Sequence, residues 1–234
     1  SALQAGIIST GCNVISIGLA PTPLLSFALH HLEESSSGIM VTASHNPASD
    51  NGFKIFLKGH ALCGDEINQL RTAMVEGQFE TGQGTVSDVD PSLDYSQAII
   101  DDIVPASGMK VVVDAGNGAA GQLAVGVLSD IDCDVTPLYC DVDGHFPNHP
   151  PDTAVEENLT DLINTVQSHR ADLGIGLDGD GDRVVAVTAD GRIVWPDELL
   201  MIFARDVISR HPGADVVYDV KSTRRLNRLI SAHG

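Results

Sequence analysis

An α/β fold, with mixed sheets covered by helices, is the class this 234-residue sequence predicts, and three features predict it. Short buried-looking apolar runs, such as Gly38-Ile39-Met40-Val41-Thr42 and Lys110-Val111-Val112-Val113, read as strands. Between them lie stretches whose apolar residues recur every three or four positions, as Leu25, Ala28, Leu29 and Leu32 do. The two patterns alternate along the chain, which argues for parallel or mixed sheets layered with helices.

Taken in order, a helix over 2–10 leads to a strand over 13–18. The Pro21-Thr22-Pro23 break then starts a helix over 22–33. The strand 38–42 delivers Ser44 at its carboxyl end, where ligands of open α/β sheets gather. A strand over 53–57 follows, then a helix over 65–76 with acidic residues in its first turn. The stretch 76–91 is rich in Gly, Thr, Ser and Asp and reads as a domain boundary. Beyond it come a helix over 95–104, a strand over 110–114, a helix over 119–128, a strand over 134–139 and a helix over 159–169. Strands over 173–177 and 184–188 then flank an acidic loop. A helix over 196–210, a strand over 215–219 and a helix over 223–232 make about one βα repeat, too little to bury a sheet by itself. The domain plan is therefore 1–90, 91–191 and 192–234.

The chain carries 13 basic and 32 acidic residues, a net charge of −19, so its field repels nucleic acid and anionic membrane. The charge is uneven. Residues 91–190 hold 18 acidic side chains against 3 basic ones, whereas 191–234 hold 7 basic against 5 acidic, a tail suited to an anionic substrate if it folds beside the site. No apolar run approaches the roughly 18 residues of a membrane span. Cys12, Cys63, Cys133 and Cys140 show no CxxC or zinc spacing and read as reduced core thiols of a cytoplasmic protein.

The chemistry concentrates in two places. Thr42-Ala43-Ser44-His45-Asn46-Pro47 sets a hydroxyl ten residues before the lysine of Asn51-Gly52-Phe53-Lys54, and Asp178-Gly179-Asp180-Gly181-Asp182-Arg183 sets three carboxylates at alternate positions between two strands. A nucleophilic hydroxyl, a cation and a carboxylate metal loop are the parts of a phosphoryl-transfer site. The acidic loop matches the first three ligand positions of an EF-hand. Arg183 then stands where that loop needs Gly, and Ala189 where it needs the bidentate Glu. Three carboxylates with a phosphate oxygen suit Mg²⁺, and without a cation such crowded like charges repel.

A competing motif lies between them. Gly116-Asn117-Gly118-Ala119-Ala120-Gly121 follows a strand and opens a helix, and Asp141 stands about 20 residues beyond, as in a dinucleotide-binding site. Asp114 argues against it by placing a carboxylate near the pyrophosphate, and glycines also serve tight strand-to-helix packing without a ligand.

These motifs together with Gly144-His145-Phe146-Pro147-Asn148-His149-Pro150-Pro151-Asp152 resemble those of the α-D-phosphohexomutases, most closely the bacterial phosphomannomutase/phosphoglucomutase branch, across essentially the whole chain. The resemblance implies an enzyme that interconverts hexose 1-phosphate and hexose 6-phosphate, of mannose or glucose, through a hexose 1,6-bisphosphate. Ser44 would be the phosphoserine and, with Asp178, Asp180 and Asp182, a ligand of Mg²⁺. His45, Lys54 and Arg183 would line the reacting centre, Lys54 as a candidate for proton transfer, and Lys221 would contact substrate. The family has four domains. Its amino-terminal substrate residues, sugar-reading loop and carboxyl-terminal phosphate loop have no counterpart here. The expectation is therefore a piece lacking part of domain 1, most of domain 3 and all of domain 4, with little turnover alone.

The remaining conspicuous residues read as structural. His30 and His31 sit on a helix as surface or packing residues. His145 and His149 have metal-pair spacing, yet Pro147, Pro150 and Pro151 forbid the helix that would align them, so this segment reads as a rigid loop. Trp195 reads as packing between domains.

Overall fold

Among the residues described, 1–103 and 108–233 of the computed structural model, the strands assemble into three sheets. Helix α1 (Ala2–Ile8) is capped by Ser1, whose hydroxyl accepts from the Gln4 N–H while Gln4 accepts from the Ser1 amino group. Strand β1 (Val14–Ser16) and helix α2 (Thr22–His31) follow, with Pro23 in the first helical turn. Strands β2 (Gly38–Val41), β3 (Phe53–Leu57) and β4 (His60–Ala61) form an antiparallel sheet, with Met40 opposite Lys54. After helix α3 (Asp65–Val75), strand β5 (Val86–Asp88) returns to pair in parallel with β1.

Helix α4 (Ser92–Asp102) leads to the main sheet. It comprises β6 (Lys110–Asp114), helix α5 (Gly121–Asp130), β7 (Asp134–Leu138), helix α6 (Thr160–His169), β8 (Leu173–Leu177), β9 (Val184–Thr188) and β10 (Ile193–Val194), in the order β10-β9-β8-β6-β7. Strand β6 is parallel to both neighbours, and β8 and β9 form an antiparallel hairpin. Successive side chains of β6 point to opposite faces. Val112 packs with Leu162, Val166 and Val187, while Val111 and Val113 pack with Ala124, Val125 and Leu128. Both faces are covered, so the middle of the strand, Val111 to Val113, is apolar and buried. Helix α7 (Pro196–Arg210) packs on β9 and on helix α8 (Arg224–His233).

Several elements differ from expectation. No strand forms over 215–219. Val217 is 93% exposed there, and the stretch lies along no other strand that could take its backbone hydrogen bonds. Conversely, the polar stretch 76–91 contains β5, because Val14 N–H donates to Thr85 O and Asn13 Oδ1 takes the Thr85 N–H, stitching a fully exposed strand to β1. The two-residue strands β4 and β10 are too short for a periodicity signal. Helix α6 is preceded by a 3-10 turn over Glu156–Leu159, and α4 runs Ser92–Asp102, Val104 of the expected helix lying outside the described residues. Of the four thiols expected in the core, only Cys140 is buried there. Cys12 and Cys63 are exposed at element ends, and Cys133 is half-buried. Trp195, expected between domains, packs against the core of the main sheet, and no described helix is long and apolar enough to cross a membrane.

Candidate active site

The carboxyl end of β2 and the β8–β9 hairpin meet face to face. Ser44, just past β2, adopts φ +53°, a conformation that costs a non-glycine residue about 1–3 kcal/mol and is held by its N–H donating to Thr42 Oγ1 at 2.8 Å. Thr42 is pinned in turn by its N–H to Gly52 O, 3.0 Å, which ties the serine turn to the strand carrying Lys54. Across the cleft, the Ser44 hydroxyl donates to Asp178 Oδ2 at 2.7 Å. Asp178 Oδ1 accepts the Arg183 N–H at 3.0 Å, closing the loop between the two strands.

The three carboxylates converge. Asp178 is 0% and Asp180 3% exposed, while Asp182 opens to solvent, and one oxygen of each lies within 4.8 Å of the others. Lys54 Nζ bridges Asp180 Oδ2 at 2.5 Å and Asp182 Oδ2 at 2.6 Å. Burial pulls the Lys54 ammonium down, but the hydrogen bonds and charges of Asp180 and Asp182 outweigh it and hold its pKa above the ordinary value. Asp180 shows the mirror effect. Burial pushes it up, and the bonds from Lys54 and Thr22 bring it below the usual carboxylate range. Asp178 has no such cation, so burial dominates and raises it.

His45 spans Ser44 and Arg183, with Nδ1 3.3 Å from Ser44 Oγ and Nε2 3.4 Å from Arg183 Nη1. A guanidinium only donates, so Nε2 is the acceptor, and the proton of the neutral ring sits on Nδ1, directed at Ser44 Oγ. Ser44 Oγ therefore accepts from His45 and donates to Asp178. In this arrangement the imidazole is a donor to Ser44, and the nearest proton acceptor is Asp178.

Seven expected residues, Ser44, His45, Lys54, Asp178, Asp180, Asp182 and Arg183, thus meet in one cluster. Lys221 does not join them. It is exposed on the loop before α8, its N–H donating to Asp219 Oδ1, and no contact joins it to the carboxylates among the described residues. A residue that the motifs did not reveal takes part instead. Buried Thr22, at the start of α2, donates from Oγ1 to Asp180 Oδ2 at 2.7 Å and from its N–H to Asp180 O at 2.8 Å, although 158 residues separate the two. The only sequence signal was its place between two prolines.

The donor set fits Mg²⁺. All candidate ligands are carboxylate oxygens, hard donors suited to that ion, and Asp180 Oδ1 is buried with no hydrogen-bond partner. A buried carboxylate oxygen without a hydrogen-bond partner, on a residue clustered with two other carboxylates, is a place for a cation.

The glycine motif is occupied by packing. A methyl group on Gly118 would stand 2.6 Å from Gly179 O, and one on Gly121 2.7 Å from Cys140 Cα. The Ala119 N–H already donates to Gly179 O at 2.9 Å. This turn seats the acidic loop against the sheet, and the space a pyrophosphate would need is filled, so the dinucleotide reading is set aside. His145 and His149 likewise form no metal pair. His145 turns to Asp143, and His149 to Asp114.

Comparison with known proteins identifies the family. Residues 1–81 match the family domain described as phosphoglucomutase/phosphomannomutase, alpha/beta/alpha domain I, and residues 93–191 match domain II. The chain is 51% identical over 232 residues to a phosphomannomutase/phosphoglucomutase of Pseudomonas aeruginosa, covering 99% of this chain and 50% of that protein. It is 43% identical to a phosphoglucomutase of Neisseria meningitidis, covering 99% of this chain and 51% of the relative. A crystal structure of a phosphoglucomutase/phosphomannomutase family protein from Burkholderia thailandensis superposes with a TM-score of 0.95 at 44% identity, covering all of this chain and 52% of the other. The chain spans about half the length of the curated relatives it matches. With domains I and II matched in succession and the fold shared with a solved member, the chain belongs to the phosphoglucomutase/phosphomannomutase family.

Proposed function

We propose that this chain carries the phosphoryl-donor site of a phosphohexomutase that interconverts hexose 1-phosphate and hexose 6-phosphate, of glucose or mannose, through a hexose 1,6-bisphosphate. The observation that carries the reading is the strained Ser44 hydroxyl 2.7 Å from buried Asp178, at the mouth of the three-carboxylate loop. Asp178, Asp180 and Asp182, with the phosphoryl group on Ser44, would hold Mg²⁺, which when bound neutralises phosphoryl oxygens.

The residues of the chain divide the remaining work. In the donor half-reaction, a sugar hydroxyl oxygen bonds to phosphorus as the bond from phosphorus to Ser44 Oγ breaks, and the hydroxyl proton ends on Ser44 Oγ. That end state has the hydrogen bonding seen here, with Ser44 donating to Asp178 and accepting from His45. In the return direction the serine oxygen bonds to phosphorus as the bond from phosphorus to the sugar oxygen breaks, the serine proton ends on that sugar oxygen, and the hydrogen bond to Asp178 orients the serine oxygen. Lys54 and Arg183 place positive charge beside the transferring group, and catalysis is positioning and electrostatics more than covalent chemistry. We assign residues 1–90 to the serine domain, 91–191 to the metal-loop domain and 192–234 to the start of a third. Lys221 would reach substrate only with a closing movement of that third segment. Sugar recognition is assigned to the part of the relatives' length that this sequence does not span.

The test is intact mass and peptide mapping after incubation with glucose 1,6-bisphosphate and Mg²⁺. One phosphate on Ser44, dependent on Mg²⁺, is expected. Phosphate on another residue, or none even in a chain extended to the relatives' full length, would overturn the assignment.

A further inference from the structure

The ion pair of His149 with Asp114 lies outside the cluster, and neither residue has a part in the chemistry above. Asp114 is 2% exposed at the carboxyl end of β6, and His149 closes over it with Nε2 3.1 Å from both carboxylate oxygens. The other ring nitrogen, Nδ1, lies 2.9 Å from Pro150 O. Both nitrogens thus face oxygens that only accept, and a ring in this seat donates from both, which makes it the imidazolium. Asp114 Oδ1 also takes the Gly116 N–H at 2.9 Å, so the pair fixes the start of the glycine turn.

From this pair a chain of contacts runs to the reacting centre. Gly116, at φ +49°, leaves room for the loop: a methyl group there would stand 3.1 Å from His149 Cε1 and 3.4 Å from Pro151 Cα. Pro151 reaches the acidic loop as well, since a methyl group on Gly179 would stand 3.3 Å from Pro151 Cγ and collide with the Ser44 carbonyl oxygen. Two successive prolines make this connection stiff. Gly179, between Asp178 and Asp180, therefore meets Pro151 and the Ser44 backbone at one shared face.

We propose that His149 is a positioning residue: its charged pairing with Asp114 presses Pro151 onto Gly179 and so sets the seating of the Asp178–Asp182 loop against Ser44. The seating is a property of the fold. Its consequence for phosphoryl transfer rests on the function proposed above. Neutral His149 loses one of its two donated hydrogen bonds, which relaxes the Pro151–Gly179 contact as pH rises. The other groups that face the ring are Tyr139, whose ring lies edge-on at 5.5 Å, and Asp161, which accepts from the Tyr139 hydroxyl at 2.8 Å. Asp161 adds negative charge on the side of α6. The Asp114 hydrogen bond leads the effects that hold the His149 pKa above its ordinary value, against the opposing effect of burial.

The experiment is an NMR titration of the metal-free protein labelled in histidine and glycine, which does not require phosphotransfer. The His149 Cε1 resonance is expected to titrate with a midpoint above about 6.5, and the Gly179 amide to move with the same midpoint. In His149→Gln the Gly179 transition at that midpoint disappears. In Pro151→Ala, which spares the ion pair, His149 still titrates while Gly179 no longer follows, so the test survives if the first variant fails to fold. A second readout is Mn²⁺ affinity, expected to fall about three- to tenfold across the midpoint in the wild type and to stay level in Pro151→Ala. A Gly179 amide indifferent to His149, or one that still follows it in Pro151→Ala, overturns the proposal. Absence of phosphate on Ser44 leaves the titration untouched, which separates failure of the functional reading from failure of this one.

Discussion

Ser44 Oγ stands 2.7 Å from Asp178 Oδ2, although 134 residues separate them. The hydroxyl belongs to the antiparallel sheet of β2 and β3, the carboxylate to the hairpin of β8 and β9, and the bond between them joins the two halves of the described site.

Ser44→Ala removes the oxygen that would carry phosphate. We expect incorporation from glucose 1,6-bisphosphate and Mg²⁺ to fall to background, with the circular dichroism spectrum unchanged. A phosphorylated, folded Ala variant would remove Ser44 from the role.

Thr22→Val deletes the hydroxyl that holds Asp180 Oδ2 and leaves the volume nearly unchanged. Removing such a support to a ligand costs about 10–100-fold in metal affinity. Mn²⁺ titration followed by electron paramagnetic resonance should show this loss in Thr22→Val and recovery in Thr22→Ser. Equal affinity in all three proteins would mean that Thr22 supports the fold alone.

Gly179→Ala forces a methyl group into the Ser44 carbonyl oxygen. Overpacking of this kind costs about 1–3 kcal/mol, and because it pushes the serine turn from the acidic loop, metal affinity should drop along with the urea midpoint. Gly126→Ala, in α5 with open space around it, is the control and should match or exceed wild-type stability.

The His149–Asp114 pair also makes stability depend on pH. The folded-state pKa of His149 is raised, so its contribution is fully present below the unfolded value of about 6.5 and is lost as pH rises through the folded value. Melting temperatures of wild type and His149→Gln, compared from pH 5.5 to 9, should therefore differ most at the acid end and converge toward the alkaline end. A constant gap would show that the imidazole acts by packing alone.

What could be read from the sequence was local. The two motifs that place Ser44 and the Asp178–Asp182 loop are contiguous, and each lies at the end of an apolar run long enough to announce a strand. Features that depend on a distant partner were hidden. Thr22 has no meaning until α2 meets Asp180, and β5 exists because β1 lies beside it, its own three residues being exposed and mostly polar. The glycine turn misled for a related reason. A dinucleotide fingerprint and a turn that packs on a neighbouring loop require the same absence of side chains, and only the position of Gly179 against Gly118 tells them apart. Lys221, expected to contact substrate and not to join the carboxylates, stands on the loop before α8, apart from the cluster.

The contact between the Ser44 turn and Gly179 has a consequence for how the protein reaches its native state. The β2–β3 pair that leads to Ser44 and the β8–β9 hairpin that holds the acidic loop each join strands close in sequence, so each can form early. The site needs the loop of more than one hundred residues between them to close, which delays it. On refolding, helical and sheet signals should return first and metal affinity last, and the lag between them measures the time the two sheets take to find each other.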